Sequence, residues 1–158
     1  NKLLDSANAF NHTGTHTWYY NRSGQPEKMW RVISSQGAEK STDSLEIRFV
    51  TDENGQTAEE RTFRKGIETG YLYYYYDDQH RLLDIVRYYT RLKKLLPDIM
   101  HEYDEQGRVA QKTTTTSSAS LGYLIWRYIY DSKGLKTKEV LFNKDKQITG
   151  RIDYTYSF

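Results

Sequence analysis

The sequence predicts an all-β protein, an antiparallel meander of about eleven strands built from repeated hairpins. Five times an aromatic-rich strand runs into an Asp or Asn turn and leaves through a second strand. The turn residues are Asn21, Asp52, Asp77, Asp104 and Asp131. Subtracting their numbers gives spacings of 31, 25, 27 and 27 residues. This is the period of a supersecondary unit rather than of a helix or a coiled coil.

Alternation of side chains before each turn is the second observation. Because successive residues of a strand point to opposite faces, positions one, three and five before the turn share a face. Those positions are mostly aromatic or apolar and include Trp18, Tyr20, Ile47, Phe49, Leu72, Tyr74, Tyr76, Ile99, Tyr103, Trp126, Tyr128 and Tyr130. On the return strands, the positions expected on that same face are Trp30, Val32, Phe63, Val86, Tyr88, Val140 and Phe142. The pattern indicates a twisted sheet with one aromatic face.

The turn residues explain how each hairpin closes. An Asp or Asn side chain can accept a hydrogen bond from the backbone two residues on, and Gly accepts the positive φ at the end of the loop. In the third unit His80 replaces that Gly, so we expect His80 in the left-handed region.

Residues 1–15 do not fit the repeat and are expected to form an N-terminal arm or linker, with a short helix as an alternative for residues 3–10. Residues 16–158 are expected to form a single β domain of about five hairpin units plus a terminal strand. Within it, residues 90–96 could form one helical turn that Pro97 ends. The first residue is Asn1 rather than Met, which we interpret as a processed or truncated chain.

Composition narrows the class of protein. Mean hydropathy is −0.87, yet the chain has 15 Tyr. Its apolar surface therefore comes largely from aromatic rings that end in a hydroxyl group, and such rings suit a sheet with one face in solvent. The net charge of +2 is too small for a nucleic-acid-binding protein. Without cysteine there is no disulfide, no Cys-rich zinc site and no thiol nucleophile. No apolar run approaches the roughly 20 residues of a spanning helix.

The turns resemble a known repeat. Residues 103–109 read Tyr-Asp-Glu-Gln-Gly-Arg-Val, similar to the YD repeat, whose usual form is Tyr-Asp, two variable residues and Gly-Arg-Leu. Residues 76–82 and 130–135 are close variants, and the first two units are degenerate, with Asn21 for Asp and Thr51 for Tyr. The resemblance covers residues 16–158. It implies the Rhs and wall-associated families, whose long antiparallel sheets curl into shells in the large members.

The resemblance also implies a location. This chain is too short for a shell and looks like small exported or lipid-anchored envelope proteins with a few such repeats. Such proteins lie in the periplasm, at the outer membrane or at the cell surface, and a lipid anchor would have been lost with the N terminus. For these proteins the resemblance brings no agreed biochemical activity.

Tyr71, Tyr73 and Tyr75 are the candidate ligand-binding residues. They alternate along a face that is otherwise polar, so burial in a core would not explain them. Flat aromatic rings can hold the apolar faces of sugars, and phenol hydroxyls can meet sugar hydroxyls. The competing interpretation is that cross-strand aromatic pairs simply stabilise the sheet, at roughly 0.2–1 kcal/mol each.

Other candidate sites receive less support. The repeated Asp residues lack the spacing of a calcium loop, and His12 and His16 would bind a metal only on a helix, which the intervening Thr-Gly-Thr opposes. We therefore predict no metal and no cofactor. Carboxylate pairs such as Asp77 with Asp78 or Glu102 with Asp104 could act as acid and base only in a cleft. A basic cluster around Arg87, Arg91, Lys93 and Lys94 is typical of a solvated loop.

The leading hypothesis is a non-enzymatic binding or scaffolding module of the cell envelope, with a polysaccharide or an envelope protein as partner. One alternative is a protein-interaction scaffold that pairs, with itself or with others, through edge strands near Trp18 and Tyr154. A second is a small outer-membrane β-barrel, since residues 152–158 alternate like a terminal barrel strand. A third is a glycan-active enzyme, although no catalytic motif is present.

Overall fold

A computed structural model describes residues 12–36, 40–90, 92–115 and 122–157. These residues form eleven antiparallel strands that follow one another in chain order in one open sheet, with no helix among them, so the predicted fold class is confirmed. The strands are β1 (His12–Tyr20), β2 (Pro26–Gln36), β3 (Lys40–Thr51), β4 (Thr57–Arg64), β5 (Ile67–Tyr76), β6 (Leu82–Tyr89), β7 (Lys94–Tyr103), β8 (Val109–Thr115), β9 (Tyr123–Tyr130), β10 (Lys136–Phe142) and β11 (Ile148–Asp153). No helix in the described ranges has the length and apolar character needed to cross a membrane.

Two compact units divide the chain, Asn1–Leu72 and Tyr73–Phe158, so that β5 begins in the first and ends in the second. We describe each unit by itself. The interpretation of residues 16–158 as a single domain stays a prediction. β1 begins at His12, inside the segment expected to be an arm, and the rest of that segment, including residues 3–10, lies outside the described residues.

The core of the first unit lies on one face of β1, β2 and β3. Trp18 pairs with Met29, which pairs with Ile47. Met29 and Ile47 are the only buried hydrophobic residues in the described part of the chain. The Trp18 ring stacks on Phe49 with centroids 5.5 Å apart and planes 13° apart. Packing on this face therefore combines two buried aliphatic side chains with one aromatic stack.

In the second unit the corresponding face crosses β7, β8, β9 and β10. His101 pairs with Lys112, which pairs with Trp126, and Trp126 pairs with Leu141. Most side chains along this row are half-buried. This face of the sheet therefore carries aromatic rings and charged groups side by side and does not form a fully buried apolar core.

The return strands place their large apolar residues on the opposite face from the one expected. Trp30 pairs with Glu46, and Glu46 pairs with Phe63, whereas Met29 and Ile47 face the other way. The same holds for Val32, which pairs with Thr15, and for Val86 and Tyr88, which share a face of β6 with Asp84. It also holds for Val140 and Phe142, since Val140 pairs with Arg127. The reason is a register shift next to the turns, for example between Val50 and Thr51 or between Lys136 and Lys138. A bulge adds one residue and reverses the alternation, which a simple count misses.

The predicted turn chemistry is confirmed. In the third unit the Asp77 Oδ1 atom accepts hydrogen bonds from the Gln79 and Arg81 amides, both at 2.9 Å. His80 has a φ of 61°, in the left-handed region as expected. The same geometry closes the turns at Asn21, Asp52, Asp104 and Asp131.

A further turn of this type lies between β10 and β11. The Asn143 Oδ1 atom accepts from the Asp145 and Gln147 amides at 3.0 and 2.9 Å. Lys146 occupies the left-handed position with a φ of 61°. The sequence analysis treated this stretch as an ordinary connection because it carries Lys where the other turns carry Gly or His.

The helical turn considered for residues 90–96 is wrong. The Tyr89 carbonyl accepts a hydrogen bond from the Leu92 amide at 3.1 Å. Lys93 has a φ of 51°, and β7 already begins at Lys94. Pro97 lies inside β7 opposite Val86, at a register shift. A bulge tolerates proline in a sheet because it interrupts the ladder of hydrogen bonds that proline would otherwise break.

Candidate functional surfaces

A groove on the second unit contains one of the three predicted site residues. Its volume is about 390 Å³, and its lining is Tyr75, Asp84, Val86, Leu95, Pro97 and Met100. The pairs of Asp84 with Met100 and of Val86 with Pro97 bring these side chains to one face of β6 and β7. Tyr75 is 47% exposed and Leu95 is 50% exposed. We call this surface the Tyr75 groove. It offers an apolar floor with a single carboxylate.

Tyr73 and Tyr71 differ from Tyr75. Tyr73 lies two residues before it on β5 and is half-buried. Tyr71 belongs to the first unit, where its hydroxyl donates to Glu68 at 2.6 Å and the Arg61 guanidinium lies 5.9 Å from its ring. The phenol tip of Tyr71 is therefore already engaged, and of the three predicted residues Tyr75 presents the most open ring.

Tyrosines on the other face of the second unit have a structural role. The Tyr103 hydroxyl donates to the Leu82 carbonyl at 2.8 Å, and the Tyr130 hydroxyl donates to the Val109 carbonyl at 2.8 Å. In each case the acceptor residue lies five positions after the turn Asp of the preceding repeat. The same geometry recurs between consecutive repeats. We call this contact the clasp, because it holds one hairpin to the next.

An arginine completes each clasp. The Arg81 guanidinium lies 4.4 Å from the centre of the Tyr103 ring and forms an ion pair with Asp77 at 2.6 Å. Arg108 makes the equivalent contacts, at 4.4 Å to the Tyr130 ring and 2.7 Å to Asp104. The hydrogen bond from Arg81 holds the pKa of Asp77 below its usual value. The Gly-Arg part of the turn pattern was visible in the sequence, but its contact with the next repeat was not.

A second pocket in that unit mixes charges with aromatic rings. It holds about 330 Å³, and its lining is His101, Val109, Lys112, Tyr128, Tyr130, Lys136 and Glu139. We call it the His101 pocket. The residues come from β7 to β10 and none was predicted as a site residue. The aromatic alternation indicated the two tyrosines, whereas the polar residues gave no motif.

Glu139 carries a negative charge that its neighbours in this pocket balance. It pairs with Lys136 and accepts a hydrogen bond from the Tyr154 hydroxyl at 2.8 Å. Burial opposes ionisation, but these hydrogen bonds hold the pKa of Glu139 below its usual value. The Lys136 ammonium also lies 4.8 Å from the Tyr154 ring and 5.4 Å from the Tyr128 ring. Lys136 and Glu139 thus form one compact, internally balanced pair.

His101 and Lys112 lack such partners. The buried Nδ1 atom of His101 has no hydrogen-bond partner among the described residues. Burial, together with the nearby Lys112 ammonium, lowers the pKa of His101 and keeps the ring neutral. Within the described ranges, no ion pair of Lys112 is found.

The remaining candidates are not assembled into sites. No group of three or more His, Asp or Glu side chains that could hold a metal ion occurs in the described residues. His12 and His16 lie on a strand, where four residues span roughly 13 Å. Asp77 and Asp104 are engaged by Arg81 and Arg108, and Arg87 pairs with Asp98 at 2.7 Å. Arg91 lies outside the described residues.

Together these features define a class of protein: an antiparallel sheet of hairpin repeats with shared Asx turns and a clasp between repeats. No protein-family model and no curated protein sequence matches the chain. It is similar to a chain in a crystal structure of TcdB2-TccC3-TEV, with a TM-score of 0.53 and 16% identity, over 91% of this chain and 9% of that one. It is also similar to a chain of the Photorhabdus luminescens Tc holotoxin pore carrying a TccC3 mutation, with a TM-score of 0.52 and 15% identity, over 89% and 8%.

These Tc toxin chains contain Rhs/YD-repeat shells, which agrees with the YD-repeat resemblance at the level of the fold. The present chain spans less than a tenth of the length of either. At such low identity the likeness concerns the arrangement of strands.

Proposed function

We propose that this chain is a non-enzymatic binding or scaffolding module of the cell envelope, exported to the periplasm, the outer membrane or the cell surface. One observation carries the proposal: the described strands of each unit contact their neighbours in the sheet, and no second layer covers that part of the chain. Large apolar side chains therefore stay accessible, including Tyr75, Leu95 and Ile129. Exposed apolar patches of this kind mark binding surfaces.

The ligand that fits the Tyr75 groove is a polysaccharide. An exposed tyrosine ring beside Leu95, Pro97 and Met100 gives a flat apolar surface for the face of a sugar ring. Asp84 on the same wall can accept hydrogen bonds from sugar hydroxyls. Tyr73 lies two residues before Tyr75 on the same strand face, whereas Tyr71 belongs to the first unit, where its hydroxyl is held by Glu68.

A fluorescence titration with a panel of soluble polysaccharides tests this proposal. We expect saturable quenching that is lost in the Tyr73→Ala, Tyr75→Ala double variant. Tyr123→Ala is the matched control, because Tyr123 is also exposed on a strand of the second unit but does not line the groove. No quenching by any polysaccharide of the panel, or an equal loss of quenching in the Tyr123→Ala control, would reject carbohydrate binding at the groove.

The second candidate function is a protein-interaction scaffold. β1 and β11 are the two ends of the strand order, and Ile148 and Ile152 on β11 are exposed. An edge strand leaves backbone groups free to pair with another chain. Light scattering over a concentration series tests self-association, and a monomer at all concentrations would leave only heterologous partners from the envelope.

A further inference from the structure

We propose that the His101 pocket binds a monoanionic sugar acid, a pyranose ring that carries one carboxylate. The site is separate from the Tyr75 groove in its lining residues. It adds a small-molecule site to the polysaccharide surface proposed above and does not depend on that proposal.

Charge selects the ligand class. The pocket brings together the ammonium groups of Lys112 and Lys136 and the carboxylate of Glu139. Because Lys136 pairs with Glu139, one positive charge, that of Lys112, is left over. A single carboxylate balances it, whereas a phosphate dianion would leave a negative charge beside Glu139. Charge-assisted hydrogen bonds of this type are roughly twice as strong as neutral ones.

Polar groups around Lys112 suit a hydroxylated ring. Glu139 retains acceptor capacity, and the Tyr154 hydroxyl that bonds to it borders the same cluster. The buried Nδ1 atom of the His101 ring has no hydrogen-bond partner among the described residues. A ligand hydroxyl would supply that partner once the side chains that cover the buried atom move aside. An unmade buried hydrogen bond is costly, so completing it favours binding.

Size and surface agree with one ring. A volume of about 330 Å³ falls at the small end of the range for ligand pockets, roughly 300–1,000 Å³. Tyr128 and Tyr130 contribute aromatic surface to the lining. Aromatic surface beside polar groups is the combination that holds the two sides of a pyranose.

The test is a titration of the isotope-labelled protein with glucuronate, followed by amide and side-chain NMR shifts, beside an identical titration with glucose. We expect saturable shifts confined to the His101 pocket with glucuronate and binding at least tenfold weaker with glucose. Lys112→Met should weaken glucuronate binding about ten- to hundredfold, and Lys112→Arg should restore part of it.

Lys138→Met is the matched control. Lys138 lies on β10 opposite Ile129, on the face away from Glu139. Its removal should leave glucuronate binding unchanged. Equal affinity for glucose, no saturation with glucuronate, or equal losses in Lys112→Met and Lys138→Met would each overturn the assignment.

Discussion

The Tyr103 hydroxyl donates a hydrogen bond to the Leu82 carbonyl, 21 residues earlier in the chain, and the Arg81 guanidinium lies 4.4 Å from the centre of the Tyr103 ring. One tyrosine side chain of a repeat thus bonds to a backbone carbonyl of the repeat before it. The same relation joins Tyr130 to Val109 under Arg108. Where Leu135 replaces that arginine, Tyr156 still donates to the Lys136 carbonyl at 2.8 Å. The tyrosine is therefore the constant part of the clasp and the arginine its variable part.

Tyr103→Phe should lower the free energy of unfolding by about 1 kcal/mol. The ring keeps its contact with Arg81, but the half-buried Leu82 carbonyl loses its donor, and a typical hydrogen bond contributes about 0.5–1.5 kcal/mol. Urea unfolding followed by circular dichroism measures the change. Tyr123→Phe is the control, because the Tyr123 hydroxyl makes a longer, exposed contact of 3.4 Å to the Lys144 carbonyl. Equal losses in the two variants would contradict a specific clasp.

Arg81→Lys should also destabilise the second unit, by about 1 kcal/mol. Lysine keeps the charge but loses the planar group that pairs with Asp77 and covers the Tyr103 ring. Arg151→Lys provides the comparison, since Arg151 and its partner Asp153 are both more than half exposed. Exposed pairs contribute little, so that variant should leave the urea midpoint nearly unchanged. A larger loss in Arg151→Lys would show that ion pairing alone, without the ring contact, accounts for the effect.

The sequence predicted the strand number and five of the six Asx turns, all but the one at Asn143, because both depend on local chemistry. An Asp at the right place closes its own loop whatever surrounds it, as Asp77 does with Gln79 and Arg81. Faces of the return strands were mispredicted, since bulges such as the one between Val50 and Thr51 depend on the pairing of two strands.

The candidate site was predictable only in part. Tyr75 stood out because its face was expected to be polar, and it does line a groove, although the floor of that groove is apolar. The His101 pocket has no local signal. It brings together His101, Lys112 and Glu139 from three strands, and their proximity depends on register that the sequence does not display.

Lowering the pH should destabilise the second unit through the carboxylates that pair with the clasp arginines, Asp77 and Asp104. Hydrogen bonds from Arg81 and Arg108 hold the pKa values of Asp77 and Asp104 below their usual range, although burial opposes this at Asp104. A lowered folded-state pKa gives stability that is present above the unfolded value, about 3.9, and is lost as the pH falls through the folded value. Urea midpoints measured from pH 6 to pH 2 should therefore fall steadily.

Asp77→Asn isolates this effect. Asn21 and Asn143 form the same turn, so the substitution keeps the loop and removes the titration. The variant should be less stable than the parent at pH 6, and the difference should shrink toward pH 2. A constant difference at all pH values would mean that the ionised form of Asp77 has no special role.

Lys146→Gly should stabilise the protein, by about 0.5–1 kcal/mol. Lys146 adopts a φ of 61°, a conformation that costs an ordinary residue roughly 1–2 kcal/mol and costs Gly nothing, while the greater freedom of Gly in the unfolded chain returns part of the gain. Five of the equivalent turns already illustrate the choice, since Gly24, Gly55, Gly107 and Gly134 take this position and His80 is the exception. The urea midpoint measures the change, and Lys144→Gly in the same turn is the control. Lys144 does not have a positive φ, so its replacement should lower stability. If both glycine variants shifted the midpoint in the same direction, the backbone conformation of Lys146 would not be the cause.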